Sequence, residues 1–305
     1  RGTLLMWAHS AGFKETLFRD EELTLPAQWA GPQNAAKLAI SMVFDRQARP
    51  HIVLTSKALT SRALGLPLDR KPSFWDLHPD LQGMLVKKML ETALDVNALR
   101  VEVHLGSWVS SKCIHAHIKL PLVPYFKLRA QYQSQKTWTD ADKKRREIYV
   151  RKVVQDRAKY HLEDADAVQA EVFSGAPQCS ADTSAFDNVL FDGDACGTSS
   201  IDVTFKNSPI IMEMGDQEVR NAMEAIQSFC QQLSLDGVHL LLPAPAIGAP
   251  ATHDGSHQER VARIVCMPDR FVRCLPPERR RAWYEDWRTS QTIAQAYKED
   301  LSLLP

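Results

Sequence analysis

The sequence predicts an α+β fold. Three observations lead there: an order of strand, strand, helix, strand, strand before residue 126, a similar order after residue 200, and an ordinary globular composition. Across 305 residues, 44% are apolar and 24% charged, and 37 Lys plus Arg balance 37 Asp plus Glu. These totals exclude a wholly disordered chain, a collagen-like repeat and a highly basic nucleic-acid coat. No window holds the roughly 18 uninterrupted apolar residues of a membrane helix, so no membrane partner is expected.

Ala39-Ile-Ser-Met-Val-Phe-Asp45 and His51-Ile-Val-Leu-Thr55 read as a hairpin about a turn containing Pro50. From Asp80 onward Leu81, Leu85, Val86, Met89, Leu90, Ala93 and Leu94 recur at helical spacing, giving one apolar face to lay on a sheet. Val101-Glu-Val-His-Leu105 alternates as a half-buried strand, and Cys113 to Leu120 alternates again until Pro121 ends it. In the second half Ile201 to Phe205 and Pro209 to Met214 read as strands. A helix with Val219, Met223, Ile226, Cys230 and Leu233 follows, then strands at Val238 to Leu242 and Val261 to Met267. That order leaves two readings open, a degenerate internal duplication or the chance likeness of short α/β pieces.

Between the halves the zero charge separates into two blocks. Lys127, Arg129, Lys136, Lys143, Lys144, Arg145, Arg146, Arg151, Lys152, Arg157 and Lys159 crowd one stretch, and an acidic run from Glu163 to Asp202 follows it. A mostly solvated helix is expected over 140 to 162, either facing phosphates or an acidic partner or serving as a soluble spacer. Residues 174 to 200, rich in Gly, Ser, Asp and Cys, read as loop. The tail from Pro276 through Arg279-Arg280-Arg281, Trp283, Tyr284 and Trp287 suggests a helix exposing basic and aromatic groups. The expected organisation is an antiparallel-sheet domain over 1–126, a charged helix and acidic linker over 127–200, and an α+β region over 201–305. Six cysteines without CxxC spacing suggest reduced thiols and hence an intracellular compartment, whether nucleus, cytoplasm or organelle.

On the strand ending at Pro121, side chains two apart share a face, so His115, His117 and Lys119 project together. Such a row can set an imidazole in line with a phosphorus atom while a neighbour fixes its tautomer and a cation holds phosphate oxygens. With the preceding hairpin, helix and strand, His115-Ala-His117-Ile-Lys119-Leu120-Pro121 resembles the motif of the histidine triad superfamily. The aprataxin branch is the nearest likeness. Phe44-Asp45, Arg49, His51-Ile-Val-Leu54, Leu99-Arg100 and Leu105-Gly106 match its pattern in order and spacing, and Ser10-Ala-Gly12-Phe-Lys14 resembles its start. The likeness covers about residues 10 to 126, which makes the first domain HIT-like and the second region a candidate degenerate repeat of it.

The resemblance implies a nucleotidyl hydrolase or transferase in which His117 attacks the α-phosphorus of a nucleotide or nucleotidylated substrate and His115 orients it. It places Asp45 near the ribose-contacting acid, His104 where the hydrolases usually carry Asn, and Lys112 where a hydroxyl residue often assists the leaving group. Lys119 stands at the third triad position, which is Gln in the galactose-1-phosphate uridylyltransferase branch. Lys119 clamps an anionic oxygen but exchanges no proton near neutral pH unless burial lowers its pKa. Losing a positioned proton donor forfeits about 10²- to 10⁴-fold in rate, so the alternative is a catalytically degenerate subunit that binds or scaffolds, in an RNA-protein assembly through the basic segment. No cofactor is called for. His253, Asp254 and His257 lack a clear fourth ligand, so no metal is expected. A homodimer is consistent with the many triad proteins that pair their sheets.

Overall fold

The computed structural model describes residues 17–25, 37–45, 50–108, 113–132, 165–175, 178–191, 198–206, 211, 214–244 and 262–302. The expected helix over 140 to 162, Ser10 to Lys14, Arg49, Lys112 and the group at His253, Asp254 and His257 lie outside them. Among the described residues the fold is α+β, with nine strands in one antiparallel sheet. The strands are β1 (Leu17–Thr24), β2 (Lys37–Phe44), β3 (His51–Thr60), β4 (Arg100–Gly106), β5 (Cys113–Lys119), β6 (Phe186–Phe191), β7 (Ser200–Phe205), β8 (Gly237–Pro243) and β9 (Ala262–Cys266). Their order across the sheet is β1-β2-β3-β5-β4-β8-β9-β7-β6.

Helix α1 (Pro79–Asp95) begins where the sequence sets its start: Pro79 opens the first turn, and the His78 side chain accepts a hydrogen bond from the Asp80 N–H. It buries Leu81, Leu85, Val86, Met89, Leu90 and Ala93. Further along come α2 (Leu122–Tyr132), α3 (Ala165–Phe173), α4 (Asp216–Gln232), α5 (Pro268–Cys274) and α6 (Pro277–Ser302). In α4 the Glu218 carboxylate accepts from the Gly215 N–H at 2.6 Å, capping a helix that buries Val219, Met223, Ile226 and Cys230. α1 and α4 lie side by side, tied by Lys87 to Asp216 at 2.6 Å and Arg220 to Asp80 at 2.9 Å. Their apolar faces share one core with Val101, Val103, Leu105, Val238, Leu240 and Leu242.

The two halves have the same topology. Hairpin β2-β3, helix α1 and strands β4 and β5 give the order β2-β3-β5-β4, and hairpin β6-β7, helix α4 and strands β8 and β9 give β6-β7-β9-β8. They meet at β4 and β8, which pair antiparallel from Arg100↔Pro243 to Gly106↔Gly237. That end of the seam requires glycine. Gly106 has φ +71°, and a Cβ there would strike the Asp236 carbonyl and the Trp75 ring, while one on Gly237 would strike the Trp108 backbone.

Several segments depart from the sequence expectation. β1 and β6 were not anticipated, and β6 lies within the stretch read as loop. Ile211 and Met214, the described residues of the strand expected over Pro209 to Met214, are not in a strand. The tail helix does form, but its aromatic residues are packed rather than exposed: Trp283, Tyr284 and Trp287 are buried, and Trp283 Nε1 donates to the Thr198 carbonyl. Arg280 is fully buried, its guanidinium donating to the carbonyls of Leu275 and Arg273. Among the described residues no helix is long and apolar enough to cross a membrane.

Candidate functional site

The face of the sheet opposite α1 and α4 carries the histidines. Because directly opposed residues share a face, register alone assembles two rows. In one, Val53 faces His117, His117 faces Glu102, and Glu102 faces Leu241. In the other, Thr55 faces His115 on one side of the sheet, and His104 faces His239 across the seam. The rings of His104 and His115 lie 4.8 Å apart, those of His104 and His117 4.9 Å, and those of His115 and His117 5.2 Å. His239 lies 4.2 Å from His104 and is itself stacked on Trp108 at 4.2 Å. From β3, the His51 ring stacks on His117 at 4.5 Å.

Glu102 is the electrostatic centre of the group. Its carboxylate accepts from Arg100 at 3.0 Å, lies 3.0 Å from Lys119 Nζ, and faces His117 Nδ1 at 3.7 Å. The last distance is long for a hydrogen bond and sets a charge against the imidazole dipole. Burial works to raise the Glu102 carboxyl, but His117, Lys119 and Arg100 outweigh it and hold the group well below the usual carboxylate range. Burial lowers His117 to about 3, ahead of the opposing pull of Glu102. His104 and His239 are lowered chiefly by burial, His104 also by the imidazoles around it. At neutral pH, His104, His117 and His239 are therefore uncharged.

Hydrogen bonding fixes the tautomer of His115. Its Nδ1 lies 3.1 Å from the Cys113 carbonyl, which can only accept, so Nδ1 carries the proton and Nε2 the lone pair. His104 has neither ring nitrogen hydrogen-bonded among the described residues, although both are fully buried. Asp45 is brought in through His51, whose Nε2 lies 3.2 Å from its carboxylate, and the Tyr125 hydroxyl donates to the Asp45 carbonyl at 3.1 Å.

The structure thus brings together His115, His117, Lys119 and His104, with Asp45 behind His51. Sequence reasoning missed Glu102, His239 and the stacking of Trp108, and gave His51 no role beyond its strand and the family likeness. For Glu102 a signal existed: it alternates with His104 on a strand expected to be half-buried. For His239 and Trp108 none did, because the pairing of β4 with β8 creates their proximity.

No protein-family model matches the chain, and no curated protein matches it. Among solved structures, one described as a uridylyltransferase mutant is similar at 12% identity and a TM-score of 0.38, covering 81% of this chain and 78% of that one.

Proposed function

We propose that this chain is a nucleotidyl hydrolase or transferase of the histidine triad type, acting through His117. The observation that carries the reading is an uncharged His117 whose Nδ1 faces the Glu102 carboxylate. With the Nδ1 proton held toward Glu102, the Nε2 lone pair attacks the α-phosphorus, and the bond to the leaving oxygen breaks with its electron pair. Water or an acceptor hydroxyl then displaces the histidine, releasing a nucleoside monophosphate or its ester. Lys119 and Arg100 both stand against the Glu102 carboxylate, so two cations at this end of the group are set to meet an approaching phosphate. Asp45, His104 and Lys112 are assigned to nucleotide binding in this reading, and His115 to the orientation of His117.

Incubating the protein with each α-labelled nucleoside triphosphate and denaturing it in alkali, where phosphoramidates survive, should trap a nucleotidyl-histidine. His117→Asn should abolish it. Equal labelling of the variant would remove this mechanism. One observation favours a binding subunit without turnover instead: His104 and His115 are buried, and Lys119 is tied to Glu102 where a triad member would relay protons. Saturable nucleotide binding by the wild type with no adduct would select that reading.

A further inference from the structure

We propose that His104, His115 and His117 form a binding site for a divalent transition metal ion, with zinc the best match to the donors. Their ligand nitrogens all lie within 4.8 Å of one another. All three donors are imidazoles, a set that suits zinc, copper, nickel or iron and not magnesium or calcium.

The surroundings of each ring favour coordination. His104 is only 8% exposed, yet both nitrogens lack a hydrogen-bond partner among the described residues, and its ring stands 4.8 and 4.9 Å from the other two. Buried polar atoms are almost always satisfied, so an orphaned imidazole facing two more needs a ligand. His115 donates its Nδ1 proton to the Cys113 carbonyl, which aims the Nε2 lone pair as in metal-bound histidines. His117 sets Nδ1 toward Glu102, the carboxylate arrangement that commonly supports a metal-bound imidazole. A tetrahedral zinc with bonds of about 2.0–2.1 Å needs its ligand nitrogens about 3.4 Å apart, so binding draws the rings inward by about an ångström. Three protein ligands leave a fourth position for water or a phosphate oxygen. Ion and phosphorus would compete for one nitrogen of His117, making metal occupancy an inhibitor of nucleotidyl transfer.

The full chain, stripped with chelator, is titrated with cobalt(II) and with zinc. Expected are one ion per chain, the visible absorption of four- or five-coordinate cobalt, and a shift of three histidine ring-nitrogen signals in nuclear magnetic resonance on adding zinc. His104→Leu, which loses the ligand but keeps an apolar filling, should weaken binding at least 100-fold while its circular dichroism stays that of the wild type. Should that variant unfold, the ring-nitrogen shifts of the wild type decide alone. No saturable binding by the wild type, or perturbation of histidines other than these three, overturns the proposal, as does retention of the ion by folded His104→Leu. The metal readouts do not depend on adduct formation, so this proposal and the nucleotidyl reading fail separately.

Discussion

The two halves share a topology and differ in what the sheet face opposite α1 and α4 carries. The row that holds His117 and Glu102 continues across Leu241 to Arg263 and Asp202, and the row of His104 and His239 continues to Val265 and Ser200. In the second half the charges cancel locally: Arg263 donates to both Asp202 oxygens, at 2.7 and 2.9 Å. In the first half, buried imidazoles crowd round one carboxylate. The core sees only alternate residues, so the same skeleton tolerates a reactive face in one half and a self-satisfied one in the other.

The seam is where the comparison breaks most easily. Gly106→Ala and Gly237→Ala should each cost at least about 3 kcal/mol, since both place a methyl group against backbone and the first also strains a positive φ. Denaturant unfolding measures this, and a loss below 1 kcal/mol would mean the halves separate readily there.

Acid should reveal the imidazoles next. His117, at about 3 in the fold, takes up a proton near pH 6.5 once unfolded but not while folded, and burial lowers His104 and His239 in the same direction. Their contribution is complete above the unfolded pKa and is lost as pH falls below it. Between pH 7 and 5.5 that amounts to about 1 kcal/mol for His117. Metal-free protein followed by thermal unfolding across this window, above the carboxylate range, should lose stability, and His104→Leu should lose less.

The two carboxylates should also differ. Glu102→Ala strips partners from Lys119, Arg100 and His117 in a mostly buried setting and should cost about 2 kcal/mol. Asp202→Ala leaves an Arg263 side chain already 32% exposed to reach water and should cost about 1 kcal/mol. Equal losses would erase the distinction between a strained cluster and a self-contained pair. The smallest effect belongs to the helix layer. A Cβ at Gly83 meets Arg220 at an ordinary 3.5 Å, so Gly83→Ala should stabilise α1 by about 0.5–1 kcal/mol.

Most of the first half was legible because its signals are local. The alternation of Cys113 to Leu120 and the helical spacing from Asp80 report β5 and α1 directly. β1 and β6 sit at the sheet edges, where solvent accepts Asp20 and Glu22 in one and Asp187 and Asn188 in the other, and half-buried Arg19 and Glu21 stand where an apolar residue would mark the strand. The tail aromatics looked exposed because neighbouring arginines dominate the local pattern, and only tertiary packing shows that they face the core. The candidate site divides in the same way. His115, His117 and Lys119 lie on one strand, whereas His239 reaches them through a pairing no local pattern encodes.

That pairing has a consequence for how the chain is made. Synthesis delivers β4 long before β8, so the emerging first half, with β4 paired only to β5, presents an unpaired strand edge from Arg100 to Gly106 until residues 237 to 243 leave the ribosome. Over that interval Val101, Val103 and Leu105 lie along an open sheet edge, the template on which nascent chains stick to one another. Slow closure of so distant a contact makes the nascent chain, more than the finished molecule, the stage at which chaperones matter.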